Sequence, residues 1–126
     1  VCFADRDRAA LRALQRNIDA LGVAGQCRLW RGDVTSRLAD WLDAESEPVD
    51  LALVDPPYAA ARKWDWADAE RRLFAPLAGR LAGDGRVAIR LPADVNCPAA
   101  LASLRTDRRK EFGEMVVYIL AAENES

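Results

Sequence analysis

Residues 49–58 read VDLALVDPPY: an apolar run, then an acid, two prolines and a tyrosine. Apart from Asp50 the run is apolar from Val49 to Val54, as expected for a strand covered on both faces of its sheet. Pro donates no ladder hydrogen bond, so the strand ends at Asp55 and the chain leaves it stiff and extended through Pro56 and Pro57. The most apolar strand of the sequence thus carries a carboxylate at its tip, followed by a fixed turn and an aromatic ring.

Upstream, VCFA at 1–4 is a short apolar strand that stops at Asp5. Asp7 is placed as the N-cap of a helix whose stripe is Leu11, Leu14, Ile18 and Leu21, with Arg8, Arg12 and Arg16 on other faces and Gly22 as its stop. QCRLWR at 26–31 predicts a second strand, and Gly32-Asp33-Val34 turns out of it. Residues 36–43 form a short amphipathic helix with Leu38, Trp41 and Leu42 inward. Downstream of DPPY, AAARKWDW reads as a polar-aromatic loop. A helix over 67–81 follows, with Leu73, Phe74, Leu77 and Leu81 as its stripe and a kink expected at Pro76. Gly83-Asp84-Gly85 turns into a strand at 86–91, and 98–104 predicts a brief helix. The segment TDRRKEFGEMVVYIL predicts two antiparallel strands around Gly113, and the polar tail AAENES is expected to fray. Strands alternating with helices imply right-handed crossovers and a parallel, doubly covered α/β sheet, with an antiparallel strand added at one edge.

Composition narrows the chemistry. The 126 residues suffice for one domain, over 1–126, and 51% are apolar. No window approaches the roughly 18 consecutive apolar residues of a membrane span, and the start lacks the pattern of a signal peptide, so a cytoplasmic protein is expected. The chain has no histidine, which excludes Ser-His-Asp and Cys-His chemistry and His-ligated zinc. Its three cysteines have no metal or redox spacing, and no metal is expected. A net charge of −2 argues against a large nucleic-acid footprint while leaving room for a local one.

Ligands of open α/β sheets bind beyond the carboxyl ends of the strands. Three strands end there in an acid: Asp5, Asp33 and Asp55. A carboxylate at Asp5 is placed to take both hydroxyls of a ribose. Asp33 can accept from the exocyclic amine of an adenine, with Val34 against the ring. In DPPY, the Asp55 carboxylate and the Pro56 carbonyl can accept the two N–H groups of a base amine. That favours a pyramidal nitrogen with its lone pair directed at an electrophile. Pro56 and Pro57 fix the acceptors at low entropic cost, and Tyr58 can stack on the base. Such catalysis works by orientation and electrostatics and needs no histidine. The structural alternative is a rigid turn with Tyr58 filling the core.

Taken together, FADRDRAALRALQRNIDALG, RGDV, DLALVDPPY, LAGDGRVAI and RRKEFGEMVVYIL resemble the RsmD family of class I S-adenosylmethionine-dependent methyltransferases, which modify N2 of a guanine in small-subunit ribosomal RNA. The resemblance implies a Rossmann-like sheet, mostly parallel with an antiparallel C-terminal strand. It implies S-adenosyl-L-methionine held by Asp5, Arg6, Asp33 and Val34, and catalysis by Asp55, Pro56, Pro57 and Tyr58. Ribosomal RNA is the implied partner, with no membrane involved. By the same resemblance the chain begins at the second strand. The first, central strand and its glycine-rich turn are then missing and the chain is an N-terminally truncated domain, unless VCFA closes the gap by pairing with LALV. The family carries an acid near the end of the strand where this chain has Arg90.

Arg62, Lys63 and Trp64, with Trp66, are candidates to clamp an unpaired nucleotide by phosphate contact and stacking, or else the tryptophans tuck onto the domain. The run RTDRRK can touch RNA backbone or simply protect a strand edge with charge. Cys97-Pro98 follows the wrong strand for a nucleophile acting on a pyrimidine base. Rival readings are methylation of DNA adenine or cytosine or of a protein glutamine, a non-catalytic Rossmann-like remnant and, more distantly, a nicotinamide-dependent dehydrogenase, which leaves DPPY unexplained.

Overall fold

A computed structural model describes residues 1–123; of the polar tail, 124–126 lie outside the described residues, while Ala121 and Ala122 still belong to the last strand. The elements are β1 (Cys2–Asp5), α1 (Arg8–Leu21), β2 (Arg28–Arg31), α2 (Val34–Asp43), β3 (Val49–Val54), α3 (Tyr58–Arg62), α4 (Trp66–Ala69), α5 (Ala75–Arg80), β4 (Leu81–Pro92), β5 (Ala100–Leu101), β6 (Leu104–Phe112) and β7 (Met115–Ala122). The fold is the expected α/β class, but the strands form two separate sheets. β1 pairs with β2 in parallel, and the second sheet has the order β3-β4-β7-β6-β5. β3 and β4 are parallel, and β7 runs antiparallel between β4 and β6. VCFA does not pair with LALV: among the described residues β1 and β3 each have a partner on one edge only.

Local chemistry accounts for the element ends. Asp7 caps α1 by accepting from the Ala9 N–H, and Gly22 closes it at φ 69°. In α1, Leu11 and Ile18 are buried while Leu21, the last residue of the stripe, is 76% exposed. Residues 24–26 form a 3₁₀ turn, so β2 starts at Arg28 rather than at 26. Gly32 leaves β2 at φ 147°, where a side chain is disfavoured, and a Cβ there would come within 3.4 Å of the Trp41 ring. Helix α2 begins two residues before the predicted start because Asp33 caps it.

The predicted loop after DPPY is largely helical: Tyr58–Arg62 and Trp66–Ala69 are each one short helix, the second capped by Asp65. The single helix expected over 67–81 is α4, a π-helical turn over Glu70–Phe74, and α5. The widened turn gives the ring of Pro76 room where a regular helix would set it against the carbonyl four residues back. β4 then starts at Leu81, so Leu81 is a strand residue. Residues 98–104 are not a helix. Leu101 pairs with Leu104 across a hairpin in which Ala102 has φ 54°, and this spacing suits a two-residue turn as well as a helical turn.

The main core lies on one face of the larger sheet. Val87, Ile89 and Leu91 of β4 and Val116, Tyr118 and Leu120 of β7 pack there against Leu73, Phe74 and Leu77, with Leu38 and Leu42 of α2. Among the described residues the opposite face of β3 is uncovered. Leu51 and Leu53 are 59% and 75% exposed, which corrects the expectation of a strand covered on both sides.

Candidate active site

Asp55 follows β3 directly, and the register of β3 with β4 matches Val54 to Ile89. One step further along two parallel strands, Asp55 comes beside Arg90, on the face that carries Leu53. The Arg90 guanidinium grips the carboxylate with both arms: Nε donates to Oδ1 at 2.8 Å and Nη2 to Oδ2 at 2.6 Å. Its remaining Nη1 approaches the Met115 sulfur at 3.9 Å. The bond to Asp55 holds the Arg90 guanidinium above its ordinary pKa.

Pro56 and Pro57 carry the chain outward, with Pro57 extended at φ −55° and ψ 142°. The Pro57 carbonyl accepts from the Ala61 N–H and anchors α3. The Pro56 carbonyl takes no hydrogen bond among the described residues. Tyr58, the first residue of α3, is half-buried, and the Arg62 guanidinium lies 5.8 Å from the centre of its ring. Arg62 in turn grips Asp94, beyond β4, through Nε at 2.9 Å and Nη2 at 3.2 Å. These bonds hold the Asp94 carboxyl below the usual carboxylate range. Two Arg–Asp pairs therefore tie the DPPY segment to the end of β4.

The other predicted residues are spread around this rim. Asp5 ends β1, and its Oδ1 accepts from the Asp7 N–H at 2.9 Å. Its Oδ2 takes no hydrogen bond among the described residues. Arg6 is exposed beside it. Asp33 works as a helix cap: Oδ1 accepts from the Thr35 hydroxyl at 2.7 Å and from the Thr35 N–H at 3.0 Å. Those bonds, the hydroxyl first, hold its carboxyl below the usual carboxylate range. Val34 is half-buried at the start of α2. Lys63 is exposed, whereas Trp64 and Trp66 meet edge to face at 5.3 Å and both pack on Phe74. The run after Leu104 lies exposed along β6; Arg105 pairs with Glu123, Arg109 with Glu111, and Lys110 sits over Phe112. Cys97 is half-buried, and burial pushes its thiol up to about 11. A cleft of about 570 Å³ opens at the other end of β4, between Asp84, Arg86, Arg105 and Asp107, away from DPPY.

The Arg90–Asp55 and Arg62–Asp94 pairs were not anticipated. The signal for the first was an arginine one residue past the position that pairs with Val54, legible only once the β3–β4 register is fixed.

Residues 1–121 match the family described as Conserved hypothetical protein 95. The chain belongs to this family, the RsmD family. It is a family of methyltransferases, and its match takes in Asp5, Asp33 and DPPY alike. Among curated proteins, the chain is 42% identical over 87 residues to the release factor glutamine methyltransferase of Cereibacter sphaeroides, covering 68% of this chain and 29% of that protein. Among solved structures, it superposes on a conserved hypothetical protein of Streptococcus pyogenes with a TM-score of 0.74 at 22% identity, covering 97% of this chain and 71% of the other. A ribosomal protein L11 methylase of Lactobacillus delbrueckii subsp. bulgaricus gives a TM-score of 0.68 at 15% identity, covering 98% and 58%. At these identities the structures speak to the fold, which is the Rossmann-like methyltransferase fold. The chain spans under a third of the length of the curated relative it matches.

Proposed function

We propose that this chain carries the amine-presenting site of an S-adenosylmethionine-dependent N-methyltransferase whose substrate is N2 of a guanine in small-subunit ribosomal RNA. The observation that carries this reading is the pair of acceptors at the end of β3. Among the described residues the Pro56 carbonyl takes no hydrogen bond, and it adjoins an Asp55 carboxylate held in one orientation; Tyr58 follows two residues later at the start of α3. Asp55 and Pro56 accept the two N–H groups of the amine, which otherwise delocalises its lone pair into the base. Tyr58 offers a face for stacking.

The donor set suits the nucleoside end of the cofactor. Asp5 keeps one carboxylate oxygen for a ribose diol, and Val34 is a half-buried apolar contact beside Asp33. When bound, the cofactor supplies an electrophilic methyl group on a sulfonium. This chain's part is to hold the nitrogen lone pair in line with it and to exclude competing orientations. Were the cofactor bound, Asp5, Arg6, Asp33 and Val34 would hold its nucleoside end, and Asp55 with the Pro56 carbonyl would keep the acceptor nitrogen turned towards the methyl group that it supplies.

The test is methyl transfer by the full-length protein from labelled S-adenosylmethionine to small-subunit ribosomal RNA, to DNA and to a release factor. Label is expected on a guanine amine of the RNA, and Asp55→Ala is expected to lower kcat by about 10²- to 10³-fold. Undiminished transfer by Asp55→Ala would sink the assigned role. A second reading, a protein glutamine as acceptor, is supported by the identity to the glutamine methyltransferase of Cereibacter sphaeroides; label on the release factor alone would select it.

A further inference from the structure

We infer that Arg90 is a positioning residue for the methyl-transfer site, acting through Asp55. The inference rests on the amine-presenting role proposed for DPPY and extends it to a residue outside that motif. A carboxylate at the end of a strand, 52% exposed, is free to rotate about its last side-chain bond. A free rotor presents its lone pairs to an incoming amine in many directions. Here the guanidinium fork engages both oxygens in parallel, at 2.8 and 2.6 Å, so the carboxylate plane is fixed to that of the fork.

An ionised carboxylate has about four lone-pair positions, and the fork takes one on each oxygen. One on each oxygen remains for an amine N–H. The guanidinium has no acceptor capacity and does not lose its proton, so it cannot compete for the amine's hydrogens or serve as its base. Arg90 is itself held: it sits on β4 between β3 and β7, and its third nitrogen rests near Met115 of β7. The position of the acceptor is thereby tied to three strands rather than to the loop that follows it. The neighbouring Arg62–Asp94 pair braces the far end of the same segment, below Tyr58.

The test uses Arg90→Gln, Arg90→Lys, Asp55→Asn and the double variant Arg90→Gln/Asp55→Asn, each checked for an unchanged far-UV circular dichroism spectrum. Kinetics are measured with small-subunit ribosomal RNA and S-adenosylmethionine. Arg90→Gln is expected to lower kcat by about 10²-fold, the scale of a displaced catalytic group, with KM for both substrates within about twofold. Arg90→Lys keeps the charge without the fork and is expected to recover only part of that loss. The double variant is expected to match the more damaged single one, because the two side chains act as a unit. A separate readout needs no turnover: the Arg90 Nε–H resonance should be distinct in a ¹H–¹⁵N spectrum and collapse to the solvent-exposed position in Asp55→Asn. Three outcomes overturn the role while leaving the reading of DPPY intact: kcat within twofold for Arg90→Gln, additive losses, or a rise confined to KM for RNA. An unmodified resonance in Asp55→Asn removes the pair itself. If the unaltered full-length protein transfers no methyl group, the reading of the site fails, and this role falls with it.

Discussion

Replacing Leu53 by threonine tests whether the outer face of β3 is open. Leu53 is 75% exposed, although it lies mid-strand in the most apolar segment of the chain. Complete burial of a leucine side chain is worth about 1.5–3 kcal/mol, and only the remaining quarter is covered here, which leaves about 0.4–0.7 kcal/mol to lose. Threonine is β-branched, a shape that suits a strand, so backbone preference does not oppose the change. Urea unfolding, followed by far-UV circular dichroism and by tryptophan fluorescence, should therefore place Leu53→Thr within about 0.7 kcal/mol of the unaltered chain at equal m. Phe74→Ala is the internal contrast. Phe74 is fully buried against Trp64 and Trp66, and its truncation should cost about 3–5 kcal/mol in the same assay. Leu53→Thr should also raise solubility, because an unpaired strand edge flanked by exposed leucines templates association. A loss above about 2 kcal/mol for Leu53→Thr at low protein concentration would refute the open face and show it covered.

Asp33→Ala removes the cap of α2 and should cost about 1 kcal/mol in thermal unfolding at neutral pH. Because the folded state holds the Asp33 carboxyl below its unfolded value near 4, its contribution is present above about pH 4 and is lost as pH falls through the lower folded value; the gap between Asp33→Ala and the unaltered chain should close on that acid limb. Gly85→Ala should destabilise by about 1–3 kcal/mol, since a Cβ there would lie 2.9 Å from the backbone oxygen of Val49, and equal denaturation midpoints would refute that packing. At pH 8 a thiol with a pKa of about 11 is thiolate about once in a thousand, so Cys97 should resist alkylation in the folded chain, and rapid labelling at Cys97 by mass spectrometry would contradict its burial.

The sequence was most legible where a single local interaction decides the outcome. Asp7 and Gly22 bound α1 because a cap needs only its own turn, and Pro56 ends β3 because a missing N–H cannot be supplied from elsewhere. It was least legible where two local solutions share one spacing. Leu101 and Leu104 fit a helical turn or a tight hairpin, and pairing with β6 and β7 decides for the hairpin. Pro76 marks an irregularity in either case, but its form, a π-helical turn rather than a kink, depends on keeping Leu73, Phe74 and Leu77 on one buried face. The unbroken apolar run LALV makes β3 apolar on both sides, not covered on both, since coverage belongs to other elements.

Arg90 shows how the same limit applies to the site. Read along the chain, it is a cation near the end of a strand, 35 residues from the nearest acid of interest. Nothing within its own neighbourhood assigns it a partner. The β3–β4 register supplies one: once Val54 lies opposite Ile89, Asp55 and Arg90 share a face and an edge, and a fork can close on a carboxylate without bending either strand. That register is set by Ala52 against Val87 and Val54 against Ile89 on the buried face, so the packing of the core determines which arginine meets the acid on the opposite face. A one-residue slip of β3 against β4 would move Leu53 inward and Asp55 away from Arg90 together. Core and site are thus two consequences of one register, and a core substitution that shifted β3 would be expected to uncouple Asp55 from Arg90 before it unfolded the sheet.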